Sequence, residues 1–247
     1  MRASAIEFRL RGFILTLMVL LGFWAPWIQA LDLGKRVSLL EWFALETSRA
    51  GILRFVYATP VVIAAGALLA ALGMVLRVWG TAYMGPVAVN NRRMQAPQLV
   101  AAGPYRYVRN PLYLGSWFML AAIAFLMPPT GALVAMPLIT LFLLRLVLGE
   151  EAFLAAQIGD PYRAYQHAVP RLFPRLRSNL PPGKHLPRWL PALATELNSI
   201  SVFVVLAGIS WSYDHELMIK ALLVGFGISI VARALVAEKA PAGAVPA

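Results

Sequence analysis

Apolar residues along this 247-residue chain gather in long runs, unlike the strict alternation of a half-buried strand. The first runs from Gly12 to about Ile28, behind Arg2, Arg9 and Arg11. A basic start before an apolar run is also the form of a signal peptide, but Ile28 fits a cleavage position poorly, so the pattern predicts an uncleaved first helix. Residues 29–54 are mixed, with Asp32, Lys35, Arg36, Glu41, Glu46, Arg49 and Arg54 among apolar residues such as Trp42 and Phe43. That is the pattern of an amphipathic segment lying in a membrane interface. A second run, from about Phe55 to Val78 with Arg77 at its end, is long enough to span, since about 20 apolar residues cross the hydrocarbon core.

A polar, basic connection over 79–111 follows, holding Asn90, Asn91, Arg92, Arg93 and Gln95. Two shorter apolar segments, Leu112 to Met127 and Gly131 to Leu148, are joined by Pro128-Pro129-Thr130-Gly131. A charge-free turn between two apolar runs predicts a helical hairpin, whose arms are barely long enough to cross. From Glu150 to about Arg188 the chain is polar and amphipathic. Gly159-Asp160-Pro161 predicts one helix ending and another beginning, with Asp160 as N-cap and Pro161 first in the helix. Prolines at 170, 174, 181, 182 and 187 interrupt regular helix. Leu190 to Ser212 and Leu217 to Val236 read as two more spans, joined by Tyr213-Asp214-His215-Glu216.

The expected fold is therefore an all-α polytopic membrane protein with about six transmembrane helices. Three parts are expected: an N-terminal helix and interfacial segment over 1–54, a core over 55–178, and a two-helix extension over 179–247. No internal repeat is visible. Composition agrees: 60% of residues are hydrophobic and the mean hydropathy is +0.70, well above a soluble domain. The 22 Lys and Arg against 11 Asp and Glu give a net charge of +11. Without a nucleic-acid-binding motif, that excess points to cytoplasmic loops facing anionic headgroups and not to nucleic acid. With six crossings and a cytoplasmic N-terminus, the inner segments 1–11, 77–111, 145–188 and 233–247 hold 17 of the 22 basic residues. Both termini are thus expected in the cytoplasm, in a plasma membrane or, in a bacterium, the inner membrane. The lack of cysteine excludes disulfides, thiolate catalysis and Cys-ligated metal.

Chemistry concentrates in Gly103-Pro104-Tyr105-Arg106-Tyr107-Val108-Arg109-Asn110-Pro111-Leu112-Tyr113-Leu114-Gly115. Arginines and tyrosines supply donors for anions and flat faces for rings. Asn110-Pro111 reads as a helix start, with asparagine as N-cap and proline first in the helix. The exposed amides and positive dipole end of such a helix favour a bound carboxylate or phosphate. Glu150-Glu151 lies where the return arm of the hairpin leaves the membrane on the same side. Adjacent helical residues point about 100° apart, so the two cannot face one ligand alike.

The order of these features, with Gly159, Tyr162, Tyr165, Pro170 and Pro174 following, closely resembles the integral-membrane methyltransferases that use S-adenosylmethionine: isoprenylcysteine carboxyl methyltransferases and the phospholipid methyltransferases near them. Arg77-Val78-Trp79-Gly80-Thr81-Ala82-Tyr83-Met84-Gly85 also looks like the family segment preceding the motif. The resemblance covers roughly 66–176. It implies a cytosolic S-adenosylmethionine site built from loop and helix ends, lined by Gly103, Tyr105, Arg106, Tyr107, Arg109, Asn110, Pro111, Tyr113, Gly115, Glu150 and Glu151. It also implies a lipophilic or membrane-partitioned acceptor, such as a lipid, entering between helices. Asn110 stands where that family usually has histidine, so a proton-carrying role there is lost while a positioning role survives. Arg145, an ionisable residue in the last turns of a membrane helix, joins Glu150 and Asn110 as a candidate catalytic residue, with Glu150 or the acceptor headgroup as its expected partner.

His167, His185 and His215 lack metal-ligand spacing, so no metal is expected. Gly225-Phe226-Gly227 inside an apolar run reads as helix packing. Two rival readings remain: an NADPH-dependent membrane reductase of the sterol-reductase type, and a non-enzymatic membrane protein with a degenerate site.

Overall fold

The computed structural model describes residues 2–24, 37–91, 99–178, 180–181, 183, 185–212 and 214–238. Asp32, Lys35, Arg36, Arg92, Arg93, Gln95, Pro182 and Tyr213 lie outside the described residues. Every regular element among the described residues is helical: α1 (Ala5–Arg9), α2 (Arg11–Phe23), α3 (Leu39–Arg49), α4 (Phe55–Met84), α5 (Pro86–Asn90), α6 (Pro111–Ala124), α7 (Pro129–Ile158), α8 (Asp160–Ala168), α9 (Trp189–Thr195), α10 (Leu197–Gly208) and α11 (His215–Glu238), with 3-10 turns at Gly103–Arg106 and Ile209–Ser212.

Two of these helices, α4 and α7, are long and apolar enough to cross a membrane; α9 and α10 make a third span if their pair, bent by 70°, is counted as one. Each of the first two has 30 residues and so runs about 45 Å. The other expected crossings are not established. Helices α2 and α6 have 13 and 14 residues, short of the roughly 20 that a full span needs.

Inside a bilayer the lipid tails are as apolar as leucine, so helix association rests on close packing and polar bonds more than on the hydrophobic effect. The contact of α4 with α6 shows both. A Cβ on Gly73 would lie 2.8 Å from the Met119 nitrogen and 2.9 Å from the Gly115 oxygen, so only glycine lets the backbones meet there. Below this crossing Ala70, Met119, Leu126, Val202 and Leu206 pack as one core among α4, α6 and α10. A second core joins α2, α6 and α7 through Leu120, Met127, Ile139 and Leu146.

The hairpin expected between two apolar runs is present as α6 and α7, tied by the Trp117 indole N–H donating to Thr140 (2.9 Å). Its turn falls earlier than the proline pattern suggested. Pro129 opens α7, so Thr130 and Gly131 lie inside the helix, where Gly131 faces the Gly22 backbone of α2. The turn carbonyls of Met127 and Phe125 accept the first free amides of α3, from Leu39 (2.7 Å) and Leu40 (2.9 Å). Helix α3 is thus docked on the hairpin, its start closed by a Ser38–Glu41 capping box. Between α3 and the start of α4 lies a cavity of about 560 Å³ with Leu40, Ala44, Val56, Leu126 and Met218 in its wall. It sits near Thr59, some 30 Å along α4 from Gly80 and the motif, and so is not the expected cofactor site.

Helix α7 continues to Ile158, two turns beyond Glu150 and Glu151, so the helix runs on past the end of its apolar run. Gly159, at φ 74°, ends α7 and itself caps α8. Asp160 is therefore the first residue of α8 and Pro161 the second, each one place further into the helix than the sequence suggested.

Candidate functional site

The motif opens on the 3-10 turn Gly103–Arg106, which packs against α4. Gly103 has φ 55°, and a Cβ there would overlap the Tyr83 ring at 2.4 Å, so both conformation and space demand glycine. Tyr105 is buried, its hydroxyl donating to the Gly80 carbonyl at 3.4 Å. The Tyr105 carbonyl accepts from the Tyr165 hydroxyl at 2.7 Å. Burial pushes the Tyr105, Tyr162 and Tyr165 phenols well above their ordinary range. They stay protonated at neutral pH and can donate but not act as bases. Arg106 donates to the Leu180 carbonyl and lies 5.9 Å from the centre of the Tyr107 ring, which stands 6.1 Å from that of Trp79. These side chains make an aromatic and cationic wall.

Glu151 is the centre of the site. Buried at 3% exposure, it accepts from Arg109 through Nε (3.0 Å) and Nη2 (3.3 Å), from Asn110 Nδ2 (2.8 Å) and from Arg171 Nε (2.9 Å). Arg109 also donates to the Val169 carbonyl (3.0 Å) and to that of Gln166, while its backbone amide reaches Pro170 (2.9 Å). Residues 107–110 and 166–175 are thereby stitched around one carboxylate. Asn110 occupies the N-cap position of α6, but its side chain caps nothing. Its two amide hydrogens serve Glu151 and the Arg171 carbonyl (3.2 Å), a pair of bonds that a neutral imidazole, with one N–H, cannot make. The capping role expected of Asn110 is corrected to a cross-link.

Glu150 faces elsewhere, as the 100° step along the helix requires. Among the described residues it accepts one hydrogen bond, from the Tyr113 hydroxyl at 2.7 Å. Arg11 of α2 lies within electrostatic reach of it and donates to the Asn91 (2.8 Å) and Val89 (3.3 Å) carbonyls. Pro111 opens α6 as expected. Gly115 lies against the Arg77 stem and the Gly73 carbonyl, where a Cβ would stand 2.7 and 3.0 Å away, so it is a packing residue of the helix crossing. Arg145 is not gathered into the site: five positions before Glu150, it points about 140° away around the helix. It pairs instead with Glu7 of α1 at 2.8 Å, a half-open contact that backbone Ala3 reinforces by donating to the Arg145 carbonyl (3.0 Å).

Sequence reading missed a second polar centre. Glu196, at the break between α9 and α10, is fully buried and accepts from Arg77 through Nε (2.6 Å) and Nη2 (2.9 Å), from Thr81 (2.8 Å) and from Ser199 (2.9 Å). Arg77 Nη1 also donates to Ser116 (2.6 Å). The available signal was a lone glutamate in the apolar stretch 190–212, where an ionisable residue is costly and needs a partner. Among the described residues no cluster of potential metal ligands occurs.

With this geometry established, residues 61–160 match the family model described as phospholipid methyltransferase. Neither a curated protein nor a solved structure matches the chain. The matched segment holds most of α4, the motif, α6, α7 and both glutamates, so the resemblance read from the motif is borne out. Residues 61–160 are thus similar to a phospholipid methyltransferase core, in a chain whose long apolar helices are those of a membrane protein.

Proposed function

We propose that this chain is an integral-membrane methyltransferase that uses S-adenosylmethionine and acts on a lipophilic or membrane-partitioned acceptor of the phospholipid or isoprenylcysteine carboxyl kind. The observation that carries the reading is the division of labour between the adjacent glutamates: Glu151 is saturated by Arg109, Asn110 and Arg171, whereas Glu150 keeps an oxygen without a described partner. The donor set fits the cofactor. Glu150 would take its ribose hydroxyls or amino group, Trp79 and Tyr107 its ring, and the first-turn amides of α6 its carboxylate. Bound there, the cofactor supplies a methyl group on a sulfonium, open to direct displacement.

The protein's part is then positioning and exclusion of water, which lower the barrier without a nucleophilic side chain. Arg109, Asn110 and Glu151 hold the loop rigid; Tyr113 holds Glu150. Arg145 is left out of this assignment because its partner is Glu7. A carboxylate or thiolate acceptor arrives without its proton and needs no base from the protein. The basic loops at the site end of α4 and α7 favour the cytoplasmic face for the site. Calorimetry on the purified chain in detergent tests the cofactor: micromolar binding of S-adenosylmethionine is expected. No such binding by folded protein, or binding of NADPH in its place, would overturn the reading.

A further inference from the structure

The 159–188 connection holds a surface that neither the fold nor the site uses. It leaves α7 at Gly159 and returns at Arg188, whose amide donates to the Ala82 carbonyl near the end of α4 (2.8 Å). The connection therefore lies across the site-bearing end of the bundle, where the candidate spans α4 and α7 finish. Within it, residues 170–177 carry Phe173 and Leu176 at 86% and 98% exposure.

This exposure does not come from loose backbone. The Arg109 amide donates to the Pro170 carbonyl (2.9 Å), Asn110 to that of Arg171 (3.2 Å), and the Arg175 amide to that of Tyr107 (3.1 Å). Two large apolar side chains are thus held outward by a fixed loop, interleaved with Arg171, Arg175 and Arg177. Residues 161–195 contain six basic residues and no acidic one, so the stretch of chain that carries the two apolar tips is basic.

We propose that 170–177 is a membrane-interface anchor, with Phe173 and Leu176 inserted among the acyl chains and Arg175 and Arg177 on anionic headgroups. Apolar tips beside arginines suit the headgroup boundary, where the side chains bury about 5–10 Å deep. Exposed in water, the same residues would be a costly apolar patch. Arg171 sits in the anchor with its guanidinium on Glu151, so the loop that touches the bilayer also braces the site. This proposal does not depend on which ligand the site takes.

The absence of cysteine permits a direct test. Full-length Leu176→Cys and Phe173→Cys proteins, and Arg163→Cys on α8 as an exposed polar control outside the loop, would carry an environment-sensitive fluorophore in nanodiscs. The lipid would be phosphatidylcholine with or without phosphatidylglycerol, part of it brominated. The expected result is quenching by brominated lipid about threefold or more stronger at 173 and 176 than at 163, as interfacial burial requires. Phosphatidylglycerol should raise it further, and Arg175→Gln with Arg177→Gln should abolish that increase. Quenching at 173 and 176 equal to the control, in both lipids, would overturn the anchor; a lipid-charge effect that survives loss of both arginines would overturn the headgroup assignment.

Discussion

Glu151 and Glu196 are the same device used in two ways. Each is a buried carboxylate gripped by a guanidinium through two nitrogens. Around Glu196 every neighbour is a helix side chain: Arg77, Thr81 and Ser199, with Ser116 completing Arg77. The joint is closed, and it rivets the bent α9–α10 pair to α4 and α6. Around Glu151 the partners come from a loop and a helix start, and one of them, Arg171, has its side chain 44% exposed. That centre is open on one side, next to the unsaturated Glu150. The difference teaches that burial of a charge does not by itself mark a site; what marks it is a neighbouring polar group left short of partners.

The comparison is broken most forcefully at the closed joint. Glu196→Ala leaves the Arg77 guanidinium uncompensated and should cost about 3–5 kcal/mol, read as a large loss of thermal stability in detergent. Replacing both Arg77 and Glu196 by methionine should recover most of that loss, since the pair pays its desolvation in full; a double variant as unstable as Glu196→Ala would contradict the closed-joint account. At the open centre Glu151→Gln should weaken S-adenosylmethionine binding about tenfold or more, in line with the charge-assisted bonds lost, with a smaller stability change than Glu196→Ala. Asn110→His restores the residue that the resembling family usually has, but surrenders one of two hydrogen bonds. It should cost about 0.5–1.5 kcal/mol, measured by thermal unfolding, and leave cofactor binding within a few-fold.

The smallest effect belongs to the N-terminal contact. The backbone amide of Ser4, and Arg145 beside it, hold the Glu7 carboxyl below the usual range. Its folded value is thus lower than its unfolded one, so its contribution is present at neutral pH and disappears as pH falls through the depressed value. Hydrogen exchange over 3–10 should accelerate on acidification through that window, and Glu7→Gln should remove the dependence.

What was legible in the sequence follows the range of each interaction. Apolar runs gave α4 and α7, because about 20 consecutive apolar residues are a local signal, and the motif gave the site's loop and helix start. Proline at the head of α6 was local too. What could not be read was which charges meet. Arg77 and Glu196 are 119 positions apart, and a single glutamate amid apolar residues does not say where its arginine lies. The partner of Arg145 was misread for a related reason: Glu150 is close in sequence, but five helical steps place it on another face. Asn110 was read as a cap because caps are local, and its real partners, Glu151 and the Arg171 carbonyl, are 41 and 61 positions away.

The central claim is that the cofactor lies on the Glu150 side of the motif. Binding isotherms for S-adenosylmethionine with wild-type protein and Glu150→Ala, taken beside their melting curves, test it most directly. The account predicts binding by the wild type, about tenfold or more weaker in the variant, and near-equal melting temperatures; equal affinity in the two folded proteins would contradict it.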